Sequence, residues 1–329
     1  MSLKLVHRPV GGQVTLLEEK DRYLTLLGAR FGRRFWEYRK RWALAEERRY
    51  LGPWPLSLDL AINSGCQLRC PMCPLPARPE APKRQELPDW LYRRLMDQAR
   101  EGAIPALTLG LGSEPLLHSR PHLMVKEAVR AGIMDIRLGT NGLLLTEPLM
   151  DALIDSGLTR LEISLDAAEP VAYRAIRGGD LVELEKKIHL FLNKRAQSGA
   201  PWPLLRVSFL KLELNKNQLG PFIARWRGLA DLISIQKPIW FAGSKLPPPP
   251  PKTVLSVPCG QPWQRLGVTY DGHVWPCCSW YGENLLAMTS QKTSLATIWR
   301  SQSLTDLRAR LTFNRPTPEC LACAQAGAF

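Results

Sequence analysis

Six short β-like runs, separated by five helix-like stretches, occupy the chain from Pro55 to Trp240. The β-like runs are 56–63, 106–111, 135–139, 160–166, 204–212 and 232–240, and the helix-like stretches are 88–102, 121–131, 147–156, 181–196 and 217–230. Strands that alternate with helices are joined by βαβ crossovers, which generate a parallel sheet. Six of them in an α/β chain fit an open or partial (β/α)6 barrel, with a doubly wound sheet as the alternative. In either architecture ligands gather at the C-terminal ends of the strands, so functional residues are sought in the loops after the runs.

The 329 residues suffice for two domains at ~150 residues each. Residues 1–54 precede the alternating region. There Leu27, Phe31, Phe35, Tyr38 and Trp42 recur at near-helical spacing, and eight basic against three acidic residues lie from Arg30 to Arg49. This predicts a basic amphipathic helical segment whose aromatic stripe packs on the main domain. Its basic face is either solvated or a docking surface for an anionic partner. The alternating domain spans 55–246. Pro247–Pro251, a stiff polyproline spacer, opens a last segment over 247–329, read as a small α+β Cys-rich domain. Within it 266–270 and 273–276 flank Asp271-Gly272, a tight-turn signal for a hairpin, and a helical pattern follows over 295–311.

An apolar share of 45% and a charged share of 22% exclude a disordered or fibrous chain. No window has the ~18 apolar residues of a membrane span, and Met1 to Val10 lacks a signal-peptide core, so a cytoplasmic protein is expected. The net charge of +14 favours acidic partners without choosing among them. In a reducing compartment eight cysteines read as metal ligands or redox groups rather than disulfides. They fall into two groups, Cys66, Cys70 and Cys73, then Cys259, Cys277, Cys278, Cys320 and Cys323.

The first group, C-x3-C-x2-C, directly follows the first β-like run. Three thiolates hold three corners of an iron–sulfur cube and leave the fourth iron open, whereas ferredoxin-type sites use four. A four-cysteine zinc centre, with Cys70 and Cys73 joined by Cys320 and Cys323, is the competing reading. The segment resembles the cluster motif of the radical S-adenosylmethionine (radical SAM) enzymes. The later loops resemble that family as well. Gly112-Ser113-Glu114-Pro115 is similar to its Gly-Gly-Glu-Pro motif, with Ser113 in place of the second glycine. Thr140-Asn141-Gly142, Ser164-Leu165-Asp166 and the stretch from Tyr173 to Gly179 follow in order. The resemblance implies that S-adenosylmethionine chelates the open iron of a [4Fe–4S] cluster. An electron from the cluster then cleaves it to a 5′-deoxyadenosyl radical that abstracts a substrate hydrogen atom. It also implies that Gly112, Ser113, Glu114, Asn141, Ser164, Asp166 and Arg177 contact that cofactor, Ser164 on the ribose side and Arg177 on the carboxylate side. Met72 stands where the family often has an aromatic residue.

In the second group Cys259, Gly272 and Cys277 resemble the opening of the SPASM auxiliary-cluster domain found in many radical SAM enzymes. Cys320 and Cys323 complete four ligands, which implies one auxiliary [4Fe–4S] cluster in a shortened, twitch-like variant. A structural zinc ribbon is the alternative. Adjacent side chains of an extended segment point opposite ways, so Cys277 and Cys278 are not expected to face one cluster together; Cys278 is a candidate catalytic hydrogen-atom donor, a buried apolar cysteine, or the ligand in place of Cys277. The family implies a cytoplasmic oxidoreductase, epimerase or peptide maturase fed by a flavodoxin- or ferredoxin-like electron donor. The first expectation is modification of a ribosomally made peptide, with a separate leader-peptide-binding protein as a possible partner. The alternative is dehydrogenation, epimerisation or decarboxylation of an aminosugar, nucleotide sugar or other small metabolite. Nucleic acid is a less favoured partner, and a non-catalytic iron–sulfur carrier has no need of an open cluster.

Overall fold

The computed structural model of the chain describes residues 5–7, 13–73, 84–238, 245, 254, 256–277, 287–289 and 293–325, with backbone alone for 5–7, 13–21 and 287–288. The polyproline run and Cys278 lie outside the described residues. Six parallel strands form the frame: β3 (Ser57–Leu60), β4 (Ala106–Leu109), β5 (Asp135–Thr140), β6 (Arg160–Ser164), β7 (Leu204–Leu210) and β8 (Leu232–Gln236). They lie side by side in chain order, with no reversal. A doubly wound sheet reverses its strand order at a switch point, so the continuous order selects the partial barrel.

Both edges are extended, one by the hairpin expected around Asp271-Gly272 and the other by N-terminal strands that the sequence reading did not place. At one edge β9 (Arg265–Val268) pairs in parallel with β3, and β10 (His273–Trp275) folds back on β9 through the Asp271-Gly272 turn. The short strand β11 (Ala287–Met288) pairs with β10. At the other edge β2 (Gln13–Leu16) pairs antiparallel with β8, and β1 (Leu5–His7) with β2. Open sheet edges carry unpaired N–H and C=O groups, and the two hairpins cover both.

The strands are two-faced. Leu58, Leu60, Leu107, Leu109, Ile136, Leu138, Leu161, Ile163, Val207 and Phe209 are buried in the main apolar core. They pack with helices α3 (Asp89–Glu101), α4 (Pro121–Arg130), α5 (Glu147–Ile154), α6 (Pro170–Arg177), α7 (Leu181–Gln197) and α8 (Leu219–Trp226). Phe209 meets Phe222 of α8 at 4.9 Å between ring centroids. The alternate positions face the lumen and are polar: Asp59, Asp135, Glu162, Arg206, Ser208 and Ser234 are all buried. Each helix is covered on one side only, as its amphipathic pattern requires.

The N-terminal segment forms two helices, α1 (Leu17–Phe31) and α2 (Arg33–Glu46), where the spacing of the stripe suggested one. Gly32, at φ +57°, breaks them. Tyr23, Leu27, Phe35 and Tyr38 are buried against Ala106, Met134, Leu204 and Leu232, at the starts of the barrel strands. The two helices thus plug the N-terminal mouth. The Tyr23 and Tyr38 hydroxyls donate to Asp135 at 2.6 and 3.2 Å, and Arg160 pairs with the same carboxylate at 3.0 Å. The aromatic stripe packs inward as expected; Arg30, Arg34, Lys40 and Arg41 remain exposed. Among the described residues no helix is long and apolar enough to cross a membrane.

The C-terminal segment adds α9 (Gln261–Gln264), α10 (Leu295–Trp299), α11 (Gln302–Thr312) and α12 (Pro318–Gln325). Arg308 of α11 is buried over the Trp299 ring, 4.2 Å from its centroid, and donates to the Pro262 and Trp299 carbonyls. Arg48, just after α2, reaches the Val257 and Leu311 carbonyls, so the N- and C-terminal segments are tied together beside the barrel.

Candidate active site

The loop after β3 carries the three clustered thiols at the C-terminal mouth. Asn63 shapes its start: its Oδ1 accepts from Gly65 N at 2.8 Å, and its Nδ2 donates to the Glu114 carbonyl at 2.7 Å. Glu114 N in turn donates to the Gly65 carbonyl at 2.9 Å. The cysteine loop is therefore laced to the loop after β4. Cys70 is buried, and Cys66 and Cys73 are half-buried.

Glu114 is 2% exposed and joins three loops. Its carboxylate accepts from Leu116 N at 3.0 Å, Thr140 Oγ1 at 2.5 Å and Asn141 N at 2.8 Å. Burial raises its pKa, and the donors from Asn141, Thr140 and Leu116 oppose the rise. Asn141 comes next in the chain of contacts. Its Oδ1 accepts from Gln67 Nε2 at 3.0 Å, and its Nδ2 lies 3.8 Å from Cys66 Sγ. Cys66 Sγ also accepts from Leu68 N at 3.4 Å. Burial nonetheless lifts the free Cys66 thiol to about 11, so a metal must displace its proton to bind. Gln67, between the first two cysteines, was not singled out by its motif position; its contact with Asn141 is long-range and invisible to spacing.

On the other side of the loop, Cys70 Sγ accepts from Arg177 Nη1 at 3.9 Å and lies 3.8 Å from the Arg177 carbonyl. Arg177 forms a buried ion pair with Asp166. Asp166, wholly buried at φ +61°, also accepts from Leu210 N at 2.7 Å. The structure thus engages Asp166 with its own chain and sets Arg177 against Cys70. Ser164 ends β6 half-exposed, level with Ser208 of β7. Gly112 is exposed at φ +59°, and the neighbouring Ser113 Oγ is buried with no hydrogen-bond partner among the described residues.

In the second group Cys259, Cys277 and Cys320 are half-buried against the main core. Cys320 and Cys323 lie one turn apart on α12, so they share a face. Burial raises the Cys320 thiol above its ordinary value. Among the described residues no three His, Cys, Asp or Glu side chains gather as ligands of a single ion. A cube takes one thiolate at each iron corner and asks for a wider spacing than one ion does. Three thiols on one loop, with Arg177 against Cys70 and with Ser113 Oγ, Tyr173 Oη and Arg177 Nε buried without partners among the described residues, fit such a group and a polar cofactor on it.

A family model described as the radical SAM superfamily matches residues 60–195, and an iron–sulfur cluster-binding model, SPASM, matches 259–324. The chain belongs to the radical SAM superfamily. It is 30% identical over 179 residues to the probable GTP 3′,8-cyclase of Methanococcus maripaludis, 54% of this chain and 58% of that protein. The chain thus spans little more than half the length of the curated relatives it matches. Among solved structures, Streptococcus suis SuiB bound to precursor peptide SuiA has a TM-score of 0.63 at 15% identity, covering 89% of this chain and 74% of that one. BtrN in complex with AdoMet and 2-DOIA has a TM-score of 0.52 at 15% identity, covering 78% and 87%. At such identities the likeness shows the fold. This radical SAM chain is an iron–sulfur-dependent enzyme whose cofactors are [4Fe–4S] clusters and S-adenosylmethionine.

Proposed function

We propose that the chain takes a small metabolite bearing an anionic group into the barrel lumen and removes a hydrogen atom from it. The observation that carries this reading is the charge on the lumen wall. Glu162 of β6 receives two guanidinium groups, Arg137 of β5 at 2.9 Å and Arg206 of β7 at 3.3 Å. Burial pushes the Glu162 carboxyl up, but Arg206 and Arg137 outweigh it and hold it at about 2. Arg265 pairs with Asp59 at 2.8 Å, and Arg160 with Asp135. Four arginines thus meet three carboxylates on this wall among the described residues. A wall so rich in arginine attracts an anionic substrate group.

When bound, the cluster and S-adenosylmethionine supply the hydrogen-atom abstraction. The chain's own residues position and enclose. Glu114 fixes the loops that carry Asn141 and the cysteines, and Asn141 with Gln67 orients the Cys66 side. The N-terminal helices close the far mouth, which keeps water out of a site that handles a reactive radical. Gly139 lies level with Glu162, and one step above it the wall carries Ser164 and Ser208, small side chains that leave room for a ligand.

A second reading, modification of a peptide, is supported by the fold likeness to SuiB, which was crystallised with a precursor peptide. Host extract separated into metabolite and peptide fractions distinguishes the two. Each fraction is added to anaerobically reconstituted enzyme with S-adenosylmethionine and reductant, and 5′-deoxyadenosine is measured. Stimulation by the metabolite fraction, weakened at least tenfold in apparent affinity by Arg137→Met, is the expected result. Stimulation by the peptide fraction alone overturns the reading.

A further inference from the structure

Tyr173, so far only an unpartnered hydroxyl in the motif stretch on α6, has a further use. It lies on α6 four residues before Arg177, so the two side chains share one helix face. Tyr173 is wholly buried, yet its hydroxyl meets no hydrogen-bond partner among the described residues, and neither does Arg177 Nε. A buried hydroxyl without a partner costs about 1–3 kcal/mol, so it is kept for something that binds there. The group lies within electrostatic reach of Arg177, Asp166 and Cys70. Arg177 already touches Cys70 Sγ, and Asp166 holds Arg177 in place.

We propose that Tyr173 and Arg177 are positioning residues that donate hydrogen bonds to the sulfur atoms around Cys70 and raise the reduction potential of the cluster on that loop, while Asp166 tempers the effect through its negative charge. The physical reason is simple. Reduction adds negative charge to the cluster, and hydrogen bonds to its sulfurs and nearby positive charge stabilise the reduced form. A carboxylate beside the arginine works the other way. The inference concerns the cluster loop and not the substrate, so its failure leaves the substrate reading standing.

The test is an EPR-monitored redox titration of the full chain, reconstituted without oxygen and without S-adenosylmethionine. The chain with Cys66, Cys70 and Cys73 all replaced by Ala supplies the auxiliary signal to subtract. Tyr173→Phe keeps the ring and removes the donor. It is expected to shift the reduced-to-oxidised ratio at a given potential about tenfold toward the oxidised form, or ~59 mV for one electron. Asp166→Asn is expected to shift the ratio the opposite way. Opposite signs are a result that loosened packing does not produce. Iron and sulfide content matching wild type confirms that each variant carries its clusters. If Tyr173→Phe does not load, Arg177→Met replaces it with the same expected direction. Potentials equal to wild type in loaded variants, or shifts of one sign in both, overturn the proposal.

Discussion

One carboxylate, Glu114, ties the mouth of the barrel together. Glu114→Ala leaves Asn141 N, Leu116 N and the Thr140 hydroxyl without their acceptor. Each unmet buried donor costs about 1–3 kcal/mol. The variant is expected to melt several degrees lower and to bind S-adenosylmethionine at least tenfold more weakly by anaerobic calorimetry. Glu162 gives a pH signature. Its folded carboxyl sits at about 2 against the ordinary 4.5, so its ionised form stabilises the fold. That contribution is fully present above 4.5 and is lost as pH falls toward 2. Glu162→Gln is expected to cost about 3–5 kcal/mol at neutral pH and to flatten the acid limb of the stability profile, read by thermal melts from pH 7 downward. Residues at this scale were legible where a motif names them: Glu114, Asn141 and the cysteines announce themselves. Gln67 did not, because its partner lies 74 residues away.

At the scale of elements the sequence was most readable where period and length agree. The run at 204–212 becomes β7 over Leu204–Leu210, and the stretch at 181–196 becomes α7 over Leu181–Gln197. The run at 56–63 shortens to Ser57–Leu60, because the chain leaves the ladder early to form the Asn63 turn and the cysteine loop. Helix α6 escaped notice because its eight residues follow Asp166 and Glu169-Pro170 with little room for a period to show. The edge pairings β9 with β3 and β2 with β8 are contacts between distant segments, which no local pattern encodes. Two packing predictions belong here. Leu27, fully buried in the plug, is expected to cost about 2–5 kcal/mol when cut to Ala, measured by denaturant unfolding. Gly260, before α9, sits so close to α2 that an added Cβ meets Glu46 O at 2.4 Å and Glu46 Cα at 2.6 Å. Gly260→Ala must push the two helices apart. It is expected to raise proteolysis around Arg48 and Val257 while the barrel stays folded.

The whole molecule places its two cysteine groups on one sheet, because β9, which leads into the hairpin ending at Cys277, is the neighbour of β3, which leads into Cys66. The auxiliary cluster we propose on Cys259, Cys277, Cys320 and Cys323 would thereby sit beside the same sheet as the first. Loss of the first three thiols is expected to remove about half of the iron and all response to S-adenosylmethionine, with the C-terminal cluster retained. The measurement that tests the central claim most directly is iron, acid-labile sulfide and zinc in the full chain purified without oxygen. Two cubes require about eight iron and eight sulfide per chain and no zinc. Zinc with no iron, after anaerobic reconstitution, contradicts the account from the cysteine loop upward.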